Sequence, residues 1–222
     1  MSYSLIIPIF NEEKTLTNLI SQIETLNDKI EVIIINDGSD DRTKEILKNY
    51  HSLKIINHSK NLGKGSSLVS GVKCAKNKNI IFMDGDLEIK IDCIVNAIEL
   101  HKKNQDSIII GNRWNDKNKK EVNFHTIGNL IINFFFNTLF KTNYKDILCC
   151  LKLIDKNLFE SLNVVSTRFS VEAELMAKIA KKRLKVEEVD VDYVRRTIKE
   201  GKKLKIVDGF SIIKCLIKIK YL

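Results

Sequence analysis

The sequence has no CxxC pair, no basic leader and no long unbroken apolar run. Its five cysteines, Cys74, Cys93, Cys149, Cys150 and Cys215, are odd in number and lack the spacing of a zinc site or a disulfide framework. That usage points to a reducing, cytosolic setting. The start, "MSYSLIIPIFNEE", carries neither a basic n-region nor a full h-region, so no cleaved signal is expected. The longest apolar window, "LIINFFFNTLF", is interrupted by Asn133 and Asn137, and no segment is expected to span a membrane. Repeats, low-complexity tracts and Pro/Ser linkers are also missing. With 222 residues, 44% of them hydrophobic, the chain is long enough for one sizeable core and short for two independent domains. One compact domain over residues 1–222 is expected.

Acidic residues are the scarcer charge. Lys and Arg number 37 against 28 Asp and Glu, a formal charge of +9, which favours anionic partners such as phosphates, lipid headgroups or nucleic acid. The lysines are spread along the chain and no aromatic stacking motif interleaves them, which speaks against nucleic acid as the partner.

Short apolar runs alternate with segments of helical period: "SLIIPI", Glu12 to Leu26, "VIIIN", Arg42 to Tyr50, "LKIIN", Ser66 to Lys76, "NIIFMD", Ile91 to Lys102 and "SIIIG". Strands alternating with helices predict an α/β fold with a parallel sheet. Continuous rather than alternating apolar strands predict a sheet covered on both faces. Ligands of such sheets sit beyond the carboxyl ends of the strands. There the chain carries "FNEE", "NDGSDD", "NHSKNLGKGSS", "DGDLE" and "GNRW". After residue 115 the pattern predicts a helix over Glu121 to Leu139, a short strand in "KDILCCLKLI" and a helix in "RFSVEAELMAKIAKK". A strand in "VEEVDVDYV" and a last helix from Asp208 to about Ile219 follow.

Asp84 ends the fourth strand, Gly85 allows a tight turn, and Asp86 and Glu88 follow at alternate positions. Converging carboxylate oxygens suit Mg²⁺ or Mn²⁺, which complete their shell with water and substrate phosphates. Two acids around a glycine are, taken alone, more often a solvated turn. Asp37 can accept hydrogen bonds from a nucleobase edge or ribose, or simply belong to a turn, while Ser39 or Asp40 caps the next helix. Lys64 precedes a helix N-terminus and can contact an anion. The segment is not a P-loop, since GxxxxGK[ST] is absent, and its glycines follow the third strand, which excludes a Rossmann fingerprint. Arg113, past the fifth strand, is either a solubilising charge or a phosphate clamp.

Taken together, "LIIPIFNEEKTL", "VIIINDGSDDRT", "NLGKGSSLVSGVKCA", "FMDGDLE" and "IGNRW" resemble a family 2 glycosyltransferase of the GT-A fold, whose central sheet is mostly parallel and flanked by helices. The resemblance is to the branch of dolichyl-phosphate mannosyltransferases and other polyprenyl-phosphate glycosyltransferases. "KDILCCLK", "RFSVEAELMAK" and "EVDVDYVRRTIKEGKKL" extend it over nearly the whole chain. It implies a nucleotide-sugar donor bound by residues 1–115 and an acceptor, polyprenyl phosphate or a glycan, bound by 116–222. Pro8, Asn11, Glu12, Asp37 and Ser39 would line the nucleotide pocket with Lys64 near it. Asp84, Asp86 and Glu88 would hold Mg²⁺ or Mn²⁺ on the donor diphosphate. Arg113 would meet the acceptor phosphate, Arg196 would lie over the phosphates, and His125 would join the site. A basic residue of the relatives falls near Glu121 here, and "DILCC" stands where many have "DxxTG". These departures bear on acceptor specificity rather than on the fold.

Inverting transfer passes through an oxocarbenium-like transition state, with charge growing on the leaving diphosphate. A lipid phosphate is already an anion at neutral pH and needs no general base. A sugar hydroxyl needs one, and Asp146 and Glu172, then His125, are the candidates. Glu172 and Glu174 also have a plainer reading as acids at a helix start. In "GFSIIKCLIKIKYL", Phe210, Ile213, Leu216 and Ile217 share a face beside Lys214 and Lys218. That pattern fits either an interfacial helix or a terminal helix packed on the core. A peripheral enzyme at the cytoplasmic face of a membrane is expected, acting alone or with a separate membrane subunit.

Overall fold

A computed structural model of the chain describes residues 1–26, 30–116, 118, 124–196 and 206–221. The first half alternates as the apolar runs predict. β1 (Tyr3–Ile9) leads to α1 (Leu16–Ile23), β2 (Ile30–Asn36) to α2 (Thr43–Leu47) and β3 (Lys54–Asn57) to α3 (Lys64–Cys74). β4 (Asn79–Phe82), α4 (Asp92–Lys103) and β5 (Ile108–Asn112) complete this half. The second adds α5 (Phe124–Phe140), β6 (Lys152–Asp155), α6 (Lys156–Ser161), α7 (Val171–Lys181), β7 (Val186–Asp190) and α8 (Ile206–Tyr221).

All seven strands join one sheet in the order β3-β2-β1-β4-β6-β5-β7. β6 runs antiparallel to both its neighbours, β4 and β5, while the other pairs are parallel. The sheet is therefore mostly parallel, as the resemblance implies; the alternation of strands and helices gives the parallel pairs but not the reversed strand between β4 and β5. Consecutive isoleucines explain the layers, because neighbouring side chains on a strand point to opposite faces. Ile6, Ile33, Ile35, Ile80 and Ile110 pack with Leu68, Ile132, Phe136, Met176, Ile212 and Leu216 on one side. Leu5, Ile7, Ile34, Ile81 and Ile109 pack with Leu16, Leu19, Ile20, Ile94 and Ala97 on the other. Each such residue contributes about 1.5–3 kcal/mol by leaving water.

Several elements are shorter or shifted relative to expectation. α1 and α2 span only the middle of their predicted segments, and α3 begins at Lys64 rather than Ser66. The strand expected in "KDILCCLKLI" is confined to its last three residues and Asp155 beyond them. The preceding turn is held by the buried Lys152, whose Nζ donates to the carbonyls of Ile147 and Cys149. A charge buried this deeply must be satisfied by such acceptors. The expected start of α5 at Glu121 lies outside the described residues, as does the "EGKK" segment.

Because β1 to β5 are mutually parallel, their carboxyl ends share one rim. The polar segments identified in the sequence all leave the sheet there.

Candidate active site

A cavity of about 500 Å³ opens on that rim, within the usual range for small-molecule pockets. Pro8, Glu12, Asp37, Lys64, Asp84, Asp86, Glu88, Arg113 and Arg196 all line it, together with Thr126, Gly128, Phe169, Glu172, Tyr193 and Gly209. Asn11 and Ser39 do not. They support the wall instead, the Asn11 backbone N–H donating to Ser39 Oγ at 3.0 Å. His125 lies on α5, but its side chain falls outside the described residues.

Gly85 is what lets Asp84 and Asp86 sit where they do. A Cβ there would lie 2.4 Å from Ile9 Cγ2, so the turn packs directly on β1. Burial, then the charges of Asp84 and Glu88, push the Asp86 carboxyl up to about 7. Lys64 Nζ lies 2.6 Å from Asp84 Oδ1 and also pairs with Glu172. Burial alone would lower the Lys64 pKa, but the two carboxylates outweigh it and raise it well above its usual value. Glu172 Oε1, the oxygen in that ion pair, has no hydrogen-bond partner among the described residues.

Glu88 lines the same cavity, but both its carboxylate oxygens are engaged. Its carboxylate accepts from Tyr193 OH at 3.1 Å and from the Arg196 backbone N–H at 2.9 Å, and its carbonyl accepts from Val194 N. Burial and then the Glu88 charge raise the Tyr193 phenol, so it stays a donor. Among the described residues, no three His, Cys, Asp or Glu side chains converge on a single cation position. Asp84 and Asp86 nonetheless fit a divalent ion. They are hard oxygen donors crowded on one half-buried turn, and Mg²⁺ or Mn²⁺ takes only one or two carboxylates before substrate oxygens complete its shell.

Tyr193, Arg195 and Arg196 line the cavity on a segment that runs antiparallel beside the Glu88 turn. Arg196 Nη1 reaches Glu12, 2.9 Å from Oε2 and 3.2 Å from Oε1, and Ile89 bridges Tyr193. Asp37 is similarly engaged. Its oxygens accept from Leu62 N at 2.9 Å, Gly63 N at 2.8 Å and His58 Nδ1 at 2.7 Å, shaping the loop that carries Lys64. Neither Ser39 nor Asp40 caps α2: its N-cap is Arg42, without a side-chain cap bond, and the Asp41 carboxylate accepts from Thr43 N.

Arg113 is gripped by Asp146, Nε to Oδ2 at 2.7 Å and Nη2 to Oδ1 at 2.9 Å. Its guanidinium lies 5.5 Å from the Trp114 ring centre and 5.4 Å from that of Tyr193. Burial works to lower its pKa, yet the Asp146 charge and hydrogen bonds raise it well above the ordinary value. Sequence reasoning missed Tyr193 as a site residue and Lys152 as the buried support of the turn before β6. The signal for Lys152 was present, a lone lysine inside the apolar run "CCLKLI"; nothing distinguished Tyr193 from the tail of a strand.

The sequence pattern of glycosyl transferase family 2 matches residues 4–162. A dolichyl-phosphate beta-glucosyltransferase of Trichomonas vaginalis is 28% identical over 226 residues, covering 91% of this chain and 68% of its own. One from Dictyostelium discoideum is 28% identical over 251 residues, covering 98% and 73%. Glucosyl-3-phosphoglycerate synthase from Mycobacterium tuberculosis, solved with Mn²⁺, uridine diphosphate and phosphoglyceric acid, superposes with a TM-score of 0.79. Its identity is 16%, over 100% of this chain and 79% of its own. That likeness establishes a GT-A-like fold.

Proposed function

Because this chain belongs to glycosyl transferase family 2, we propose that it moves a hexose from a UDP- or GDP-linked donor to a polyprenyl phosphate, with inversion and with a divalent metal. The observation that carries the acceptor class is the pairing of both candidate carboxylate bases, Asp146 and Glu172. Asp146 is bound to Arg113 and Glu172 to Lys64, so each carboxylate serves to orient a cation rather than to take a proton. A hydroxyl acceptor needs a free base, whereas a phosphate acceptor needs cations. Lys64, Arg113, Arg168, Arg195 and Arg196 line the cavity, and the relatives from Trichomonas vaginalis and Dictyostelium discoideum are named dolichyl-phosphate beta-glucosyltransferases.

In this reading residues 1–115 hold the donor, with Pro8 and Asp37 at the nucleoside and Asp84 and Asp86 as the ligands of Mg²⁺ or Mn²⁺. A bound divalent ion supplies charge stabilisation to the departing diphosphate. Arg196, anchored on Glu12, closes over the same phosphates. Asp146 takes the Nε and Nη2 edge of Arg113 and so presents Nη1 to the acceptor phosphate. One acceptor oxygen forms the new bond to the anomeric carbon as the bond to the nucleoside diphosphate breaks. No proton changes hands. Residues 116–222 serve the acceptor. The outer faces of α5 and α8, with Phe134 and Phe210 exposed beside Lys214 and Lys218, meet the membrane in which that acceptor lies. Among the described residues no helix is long and apolar enough to cross it.

A thermal-shift panel of nucleoside diphosphates with and without Mn²⁺ tests the donor side, since a ligand of the folded state raises apparent stability. A shift with UDP or GDP that requires the metal supports the reading; no shift with either under any condition refutes it.

A further inference from the structure

Two glycines in this fold have no conformational or packing reason to be glycine. Among the described glycines, Gly38 and Gly63 have positive φ, and a Cβ on Gly65, Gly71, Gly85 or Gly111 would come within 3 Å of a neighbour. Gly128 and Gly209 are different. A Cβ on Gly128 would meet nothing within 4 Å, and one on Gly209 only Ile132 Cδ1 at 3.8 Å. Both lie in helices, α5 and α8, where glycine is weaker than alanine.

Their position supplies the reason. The cavity extends past Arg113 to the seam between α5 and α8, where Gly128, Asn129 and Gly209 line it with Ile132 and Ile212. The isoleucines are buried at 7% and 3% exposure and tie the helices to the core. Beside them the missing side chains leave a slot. On the same two helices Ile131 and Phe210 are 58% and 72% exposed, offering apolar surface to a chain that leaves the slot.

We propose that this slot is the subsite for the acceptor's hydrocarbon chain, and that Gly128 and Gly209 set its width. This rests on the polyprenyl-phosphate reading. The phosphate is held at Arg113, and the first isoprenoid units leave between the two helices. Filling the slot selects against the chain without touching the donor residues.

The test uses the full chain with Mn²⁺ and whichever of UDP-glucose or GDP-mannose the wild type turns over. Gly128→Leu is compared with wild type on undecaprenyl phosphate and on the five-carbon isopentenyl phosphate, with Gly128→Ala as the milder variant. Expected is a KM for undecaprenyl phosphate raised at least tenfold in Gly128→Leu and less in Gly128→Ala. The isopentenyl phosphate KM and the Mn²⁺-dependent nucleotide thermal shift change by less than twofold. Equal effects on both acceptors, or none on either, in folded variants overturn the slot while leaving the polyprenyl-phosphate reading intact. A wild type inactive on every prenyl phosphate overturns that reading and the slot with it.

Discussion

The Arg113 guanidinium and the Asp146 carboxylate form a two-pronged ion pair at 2.7 and 2.9 Å, with Asp146 only 1% exposed. A fork of this kind fixes the plane of the arginine as well as its charge. Asp146 lies outside the cavity lining while Arg113 lies within it, so the carboxylate acts through the arginine.

Asp146→Ala therefore costs stability, on the order of 3–5 kcal/mol, because it leaves a buried cation without its partner. Asp146→Asn keeps the shape and raises the acceptor KM, by about tenfold if about 1.4 kcal/mol of orientation is lost, with the donor KM unchanged. Steady-state kinetics on both substrates check this. Complete loss of turnover with donor binding intact would instead identify Asp146 as a proton acceptor.

Asp84→Asn and Asp86→Asn should each abolish the metal-dependent part of the nucleotide thermal shift. Glu88→Ala should keep it, because that carboxylate is already occupied by Tyr193 and Arg196. Its effect falls on the segment from Tyr193 to Arg196 that Glu88 holds, seen as faster nucleotide dissociation. A Glu88→Ala protein that no longer responds to Mn²⁺ would add Glu88 to the metal ligands.

The Asp86 carboxyl, raised to about 7 by burial and by its acidic neighbours, makes metal binding pH-dependent. A raised carboxyl pKa means the folded protein holds a proton that the unfolded chain, near 4, has released. Metal-free stability should decline as pH rises from about 4 to about 7. Mn²⁺ must displace that proton, so its affinity should rise with pH and level off above about 7. Isothermal titrations at several pH values read both the affinity and the released proton.

Gly85→Ala should destabilise by about 1–3 kcal/mol, the usual cost of overpacking, since its Cβ would lie 2.4 Å from Ile9 Cγ2 and 3.2 Å from Leu19 Cδ2. Both flanking aspartates would shift with it. Denaturant melts report the first effect and loss of the Mn²⁺-dependent thermal shift the second.

Much of this arrangement was legible in the residues. Runs such as "LIIPI" and "VIIIN" read as strands because both faces of the sheet are covered, and the rim follows from parallel topology. The reversed β6 was not legible, because its place between β4 and β5 depends on contacts remote in sequence. Nor could the pattern reveal that Glu12, Asp37 and Glu88 are held by Arg196, His58 and Tyr193, since residue type fixes chemistry but not partners. On α8 the apolar residues divide. Leu216 turns to the core with Ile212, while Phe210 and Ile217 remain exposed, so the helix packs on the core through one face and presents another.

The most direct measurement is nucleoside diphosphate release by the purified chain with Mn²⁺ and UDP-, GDP- or dTDP-sugars, with and without polyprenyl phosphate. Expected is release that depends on the lipid phosphate and matches, mole for mole, sugar recovered in the organic phase. No release from any donor in the presence of polyprenyl phosphate, or transfer to a saccharide hydroxyl in its absence, would contradict the proposed reaction.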